Sequence, residues 1–187
     1  HNIPVQADFE KIFQCPMIVD NDANLAGLSE AMLVPEFHKV LYVTVSTGIG
    51  TGVIVNQVID SAFADSEGGH IVLDFHGKPA MWESFASGRA IVKRFGKKAK
   101  DIEDKATWKT IARDLAVGFI ELIAVIQPDV IIIGGSVGTY FSKYGALLEA
   151  ELKKYETPVV PIPPLRKASR PEEAVIYGCY DLARQVY

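Results

Sequence analysis

The sequence contains very little cysteine. Its 187 residues include only Cys15 and Cys179, which are far apart in the chain and form no CxxC pair. Neither a disulfide framework nor a thiolate metal site is therefore indicated. This cysteine usage favours a cytoplasmic location.

Long apolar runs and an excess of positive charge are also missing. No apolar run approaches the ~20 residues that a membrane span requires. The formal net charge is -4, and the 19 Lys and Arg residues form no dense stripe that would attract a polyanion. We therefore expect a soluble protein that binds a small molecule, with neither a membrane nor a nucleic acid as its partner.

Two familiar phosphate-binding signatures are absent as well. No GK[ST] ending of a Walker loop and no GxGxxG dinucleotide fingerprint occurs. The glycine-rich run that is present, STGIGTG from Ser46 to Gly52, can bring several backbone N–H groups and the Thr47 hydroxyl close to a phosphate. Because both signatures are absent, a phosphate site at this run would belong to another class. An ordinary hairpin turn is an equally compatible interpretation of the same run.

The apolar pattern predicts an α/β domain. The β-branched runs Val40 to Val45 and Gly52 to Val55 flank the glycine-rich turn and predict a β-hairpin. Apolar residues at spacings of three and four predict a long helix before Pro128, and the strand-like run DVIIIGG precedes another helix. We expect a mixed sheet that starts from this hairpin and is flanked by helices. The remaining expected elements are a short strand at Met17 to Val19, one helix over 82–99 and another over 141–152, a strand after Pro158, and a closing helix.

The start of the chain allows two interpretations. It opens at His1 without an initiator Met, and the helix-like run VQADFEKIFQCP follows at once. A processed or tagged start of a complete domain is one interpretation, and a fragment of a longer protein is the other. Composition does not separate them.

Two polar motifs could carry chemistry. DNDAN, from Asp20 to Asn24, places carboxylates at a strand-to-helix turn, where Asp22 could take a proton from a substrate hydroxyl or simply cap the helix. SEGGH places Glu67 three residues before His70, and Glu83 opens a helix soon afterwards. Acids and an imidazole beside glycines suit a polyhydroxylated ligand, although each residue alone is also typical of a solvated surface.

Taken in order, the motifs NDAN, TGIGTG, EGGH, ESFASG and IIIGG resemble those of the ROK family of sugar kinases and repressors, and the resemblance covers nearly the whole chain. It implies the C-terminal lobe of an actin-like ATPase (ribonuclease H-like) fold over residues 1–187. It also implies ATP and Mg²⁺ as cofactors, a sugar as substrate, and a homodimer.

The resemblance further implies a role for each matching position. Asp22 would be the general base of phosphoryl transfer. The positions implied to contact sugar are Asn21, Glu67, His70 and Glu83. The positions implied to bind nucleotide are Thr47, Gly48 and Gly50 in the second phosphate loop, and Gly134 and Gly135 beside the adenosine.

The sequence departs from the family pattern in two places. The DxGGT-type phosphate loop of the first lobe is absent, so we expect much of that lobe to be missing. The family also places a CxCGxxGC zinc cluster after the GH dipeptide, and the matching positions here are Asp74, His76 and Met81. Methionine is a poor zinc ligand. We expect no metal at these positions, with a site built from His70, Asp74 and His76 as the open alternative.

Three functions are compatible with this sequence. The leading expectation is a hexose or N-acetyl amino sugar kinase, whose lobe alone should be inactive because the transferred phosphoryl group must be stabilised from both sides of a cleft. The first alternative is a sugar-sensing regulator of the same family. The second is a catalytically silent module for sugar binding or dimerisation.

Overall fold

A computed structural model describes residues 3–187. These residues form seven strands and eight α-helices, and short 3-10 turns connect some of them. The strands are β1 Lys39–Val45, β2 Ile49–Val55, β3 Val58–Ile59, β4 Val72–Asp74, β5 Pro79–Met81, β6 Val130–Gly134 and β7 Leu165–Lys167. The helices are α1 Val5–Phe13, α2 Asp22–Ala31, α3 Trp82–Ala86, α4 Gly88–Phe95, α5 Lys105–Ile126, α6 Gly135–Gly138, α7 Phe141–Leu152 and α8 Ala174–Val186.

The main sheet is mixed, as the sequence predicts. Its strand order is β3-β2-β1-β6-β7. The hairpin strands β1 and β2 are antiparallel, whereas β1, β6 and β7 run parallel to one another. Strands β4 and β5 form a separate two-stranded hairpin.

Alternation along β1 produces the two cores of the domain. Successive side chains of a strand point to opposite faces. Val40 and Tyr42 accordingly pack into the core beneath α2 and α8. Leu41, Val43 and Val45 pack into the larger core beneath α5 and α7. The predicted apolar face of α5 is confirmed, because all six of its residues are buried, namely Trp108, Ile111, Leu115, Phe119, Leu122 and Ile126.

Two local predictions were wrong. The Met17 to Val19 segment forms no strand, because no strand edge within residues 3–187 pairs with it, and Val19 remains 58% exposed. The helical stretch 82–99 is not continuous. Ser87 is extended (φ -71°, ψ 166°) and its hydroxyl accepts a hydrogen bond from the Ala90 N–H, so one helix ends and α4 begins there.

The topology creates a polar edge. The carboxyl ends of β1 and β6 lie side by side because Thr44 pairs with Gly134 in parallel register. The turn between β1 and β2 and the glycine-led start of α6 both emerge at that edge. Crevices beyond the carboxyl ends of parallel strands are where α/β folds bind ligands.

Candidate functional site

A cavity of about 690 Å³ opens at this edge of the sheet. Such a volume accommodates a small ligand. Nine of the ten site residues predicted from sequence line it, namely Asn21, Asp22, Thr47, Gly48, Gly50, Glu67, His70, Glu83 and Gly135. Positions spread over more than a hundred residues of sequence thus converge on one cavity, called the first cavity below.

The start of α2 presents Asp22 to the first cavity. Asn21, rather than Asp22, is the N-cap of the helix, since its Oδ1 accepts the Ala23 N–H at 2.8 Å. The capping interpretation of Asp22 is therefore wrong. The Asp22 side chain is exposed and lines the cavity, while Asn21 contributes its amide beside it.

Asn24 fixes this turn to the loop that carries Glu67. Its side chain is only 1% exposed, and its Nδ2 donates to Asp20 Oδ1 and to the Ala64 carbonyl, both at 2.9 Å. The buried amide thus joins the start of α2 to the segment before the SEGGH motif. Sequence reasoning did not single out Asn24, although its place in the same motif was a usable signal.

Glu83 lies between His70 and the glycine-rich turn. Its Oε2 accepts the Ile49 N–H at 3.2 Å, and its Oε1 lies 3.8 Å from His70 Nε2. A β-carbon at Gly48 would lie 2.5 Å from the same Oε2. The turn therefore approaches the carboxylate closely only because residue 48 is glycine.

Gly134 and Gly135 have different surroundings. Gly135 lines the first cavity and has φ +78°, a left-handed conformation that favours glycine. Gly134 lies at the buried end of β6 and lines neither this cavity nor the neighbouring one. A β-carbon there would lie 2.2 Å from Tyr42 Oη, so the packing of Tyr42 against β6 requires glycine at this position.

A second cavity of about 700 Å³ adjoins the first. The two cavities share Ser46, Thr47, Ser136 and Glu172 in their walls. The second cavity is also lined by the apolar side chains Val92, Val137 and Tyr140 and by the cationic side chains Arg89, Lys93, Lys98 and Lys100. A lining of apolar and cationic side chains suits a planar ring that carries phosphates.

Sequence reasoning missed several residues at the junction of the cavities. Gly88 donates its N–H to the Ser46 carbonyl at 2.7 Å, and the hydroxyls of Ser46 and Ser136 lie 3.3 Å apart. Ser136 directly follows the glycine pair of the IIIGG motif, and this position was a usable signal. Glu172 offered no signal, because a Pro-Glu-Glu segment before a helix resembles ordinary helix-start acidity.

Comparison with known proteins identifies the family. The ROK family model matches residues 1–186. The chain belongs to the ROK family. ROK relatives include a fructokinase of Zymomonas mobilis subsp. mobilis (strain ATCC 31821 / ZM4 / CP4), 35% identical over 152 residues, which are 73% of this chain and 50% of the relative.

The ROK relatives also include a repressor. The xylose repressor of Bacillus spizizenii (strain ATCC 23059 / NRRL B-14472 / W23) is 26% identical over 160 residues, which are 73% of this chain and 42% of that protein. Among solved structures, the ROK hexokinase from Thermus thermophilus matches with a TM-score of 0.80 and 27% identity, over 97% of this chain and 71% of the other. The chain has the α/β fold of ROK sugar kinases, which is the actin-like ATPase fold. It spans about half the length of the curated relatives it matches.

The chain carries no evident membrane span or metal cluster within the described residues. None of the helices between residues 3 and 187 is long and apolar enough to cross a bilayer. Within the same range, no group of three or more His, Cys, Asp or Glu side chains is arranged to hold a metal ion.

Proposed function

We propose that this chain is the C-terminal lobe of an ATP-dependent ROK sugar kinase. The observation that supports this proposal best is the first cavity, where Asp22 lies with Glu67, His70 and Glu83 next to a glycine-rich turn. A carboxylate, hydroxyl-binding groups and a phosphate-type turn are what phosphoryl transfer to an alcohol requires. The upstream lobe would complete the cleft.

The proposed reaction assigns one role to each group in this cavity. The oxygen of a sugar hydroxyl attacks the γ-phosphorus of ATP, and the bond between that phosphorus and the ADP oxygen breaks. Asp22 accepts the hydroxyl proton. Glu67, His70 and Glu83 bind other sugar hydroxyls, because acids and an imidazole can each accept or donate hydrogen bonds to them. Positioning of this kind supplies much of the rate enhancement.

ATP would occupy the second cavity. Its base would lie against Val137 and Tyr140, and its phosphates would reach the Thr47 to Gly48 turn where the two cavities meet. Cationic side chains of the second cavity attract the polyphosphate.

The oxygen donors at that junction fit Mg²⁺. This ion commonly uses one or two carboxylates together with phosphate oxygens and waters. Glu172 lines both cavities and would hold it. When bound, the ion neutralises charge on the transferring phosphates.

A hexose is the proposed substrate class, with N-acetyl amino sugars as the next candidates. The relatives that support a hexose are the 35% identical Zymomonas mobilis fructokinase and the Thermus thermophilus ROK hexokinase. Fructose is therefore the first sugar to test.

The second candidate is a sugar-sensing regulator. The 26% identical xylose repressor supports it. A repressor that only senses a sugar needs no base at position 22, so Asp22 favours the kinase.

The test is coupled ADP release with ATP and Mg²⁺ and a panel of fructose, glucose, mannose, N-acetylmannosamine and N-acetylglucosamine. The full-length protein and a polypeptide of residues 1–187 are assayed side by side. We expect turnover from the full-length protein and none from residues 1–187, because one side of the cleft is missing from the short chain. Sugar binding without turnover by the full-length protein would favour the regulator. Equal turnover by the two would refute the two-lobe mechanism.

A further inference from the structure

The β4–β5 hairpin links two residues of the proposed sugar site. His70 lies two residues before β4, and Glu83 lies two residues after β5. The Trp82 N–H donates to the Ile71 carbonyl at 2.9 Å and closes the base of the hairpin. The hairpin therefore connects the backbone of His70 to that of Glu83.

The residues of this hairpin do not fit the zinc cluster that the family resemblance implies. Asp74 Oδ1 already accepts the Gly77 N–H at 3.1 Å, and the His76 ring lies against Phe75 with centroids 4.3 Å apart. Met81 supplies only a thioether. Zinc prefers four ligands drawn from thiolate, imidazole and carboxylate groups. No set of three such ligands forms here within residues 3–187.

An aromatic and ionic contact holds the tip of the hairpin instead. The Phe75 ring stacks on Phe85 of α3, with centroids 4.1 Å apart and planes 10° from parallel. The Arg94 guanidinium of α4 lies 5.3 Å from the centre of the Phe75 ring. Phe75 is thus held between a ring on one helix and a cation on the next.

Arg94 is itself fixed from the core. It forms an ion pair with Asp114 of α5, and its Nη1 also donates to the Phe85 carbonyl at 3.2 Å. Asp114 is only 6% exposed, and burial raises the pKa of its carboxyl despite the neighbouring Arg94. A buried charge needs its partner, so the pair fixes the guanidinium in one place.

We propose that Phe75, Arg94 and Asp114 form a clamp that takes the place of a metal and positions the β4–β5 hairpin, and with it His70, at the sugar cavity. The contacts run without interruption from the hairpin tip to the longest helix of the core. The assignment of His70 to sugar binding rests on the proposed function. The three clamp residues are positioning residues and do not line the cavity.

The test compares Phe75→Ala with Val72→Ala in the full-length protein. Val72 lies on the same hairpin, is 61% exposed, and serves as the matched control. Hydrogen–deuterium exchange of residues 70–81 should become about ten-fold faster in Phe75→Ala, the size expected for loss of one stacked aromatic pair. Exchange across α5 should not change, which shows that the core remains folded. Phe75→Tyr, which keeps the ring, should restore slow exchange.

Kinetics supply a second readout. In Phe75→Ala the KM for sugar should rise several-fold while kcat changes little, since Asp22 lies on a different element. Unchanged exchange and unchanged KM would overturn the clamp, and so would stoichiometric zinc in the purified protein that is lost on His76→Ala. Hydrogen exchange and metal analysis need no turnover, so they test whether the clamp exists even if the protein is not a kinase.

Discussion

Replacing Gly48 by alanine tests the contact between the glycine-rich turn and Glu83. Gly48 is outside the left-handed region, so its backbone accepts an L residue without strain. The added β-carbon, however, would lie 2.5 Å from Glu83 Oε2, which is far too close for a carbon and an oxygen. The carboxylate is the flexible partner, so we expect it to move and to leave the Ile49 N–H.

The size of the effect follows from that lost hydrogen bond. A hydrogen bond to a charged group contributes about 1.5 to 3 kcal/mol when shielded from solvent. The Glu83 side chain is 32% exposed, so the free energy of unfolding should fall by only ~1 kcal/mol. Sugar affinity should fall more, by about ten-fold or greater, because the displaced carboxylate no longer points at the ligand.

A double-mutant cycle in the full-length protein isolates this contact. Sugar affinity is measured by calorimetry for wild type, Gly48→Ala, Glu83→Ala and the double variant, and stability is measured by denaturant unfolding. If the clash acts through Glu83, Gly48→Ala should reduce sugar affinity only slightly when Glu83 is already replaced by alanine. Full additivity of the two losses in sugar affinity would show that alanine at position 48 does not act through Glu83.

Two further predictions concern buried tyrosines. Burial, and then the charges of Glu30 and Asp22, raise the pKa of Tyr42 from 10.0 to about 12. Its contribution to stability is therefore complete below pH 10 and is lost as the pH rises through about 12, an effect of at most ~3 kcal/mol. Unfolding measured from pH 9 to 12 should show this loss in wild type relative to Tyr42→Phe, and parallel curves would contradict it. Tyr144 Oη is buried without a hydrogen-bond partner in residues 3–187. Tyr144→Phe should therefore raise the free energy of unfolding by ~1 kcal/mol, whereas the control Tyr140→Phe should not. A destabilised Tyr144→Phe would show that the hydroxyl has a partner.

Much of the fold was predictable because its signals are local. The apolar periodicity of α5 and the β-branched runs of β1 and β6 each specify one element. The strand expected at Met17 to Val19 failed for the opposite reason. A strand needs a neighbouring edge, and the sequence of one segment does not say whether that edge exists.

The candidate site was predictable where residues lie in recognisable motifs. Asp22, Glu67 and His70 belong to motifs whose order resembles the ROK pattern, and all three line the first cavity. Glu172 and the Phe75 to Asp114 clamp were not predictable, because only tertiary packing brings those side chains to their partners. The packing of Tyr42 against Gly134 was not predictable either, because the sequence does not show which side chain lies beside a motif glycine.

In the proposed mechanism, the sugar is phosphorylated in the first cavity with Asp22 as the base. The most direct measurement is kcat and sugar affinity of Asp22→Asn in the full-length protein, with the sugar that gives the highest turnover in the panel. We expect kcat to fall by about 10² or more while sugar affinity stays within a few-fold of wild type. Turnover retained by Asp22→Asn would contradict this mechanism.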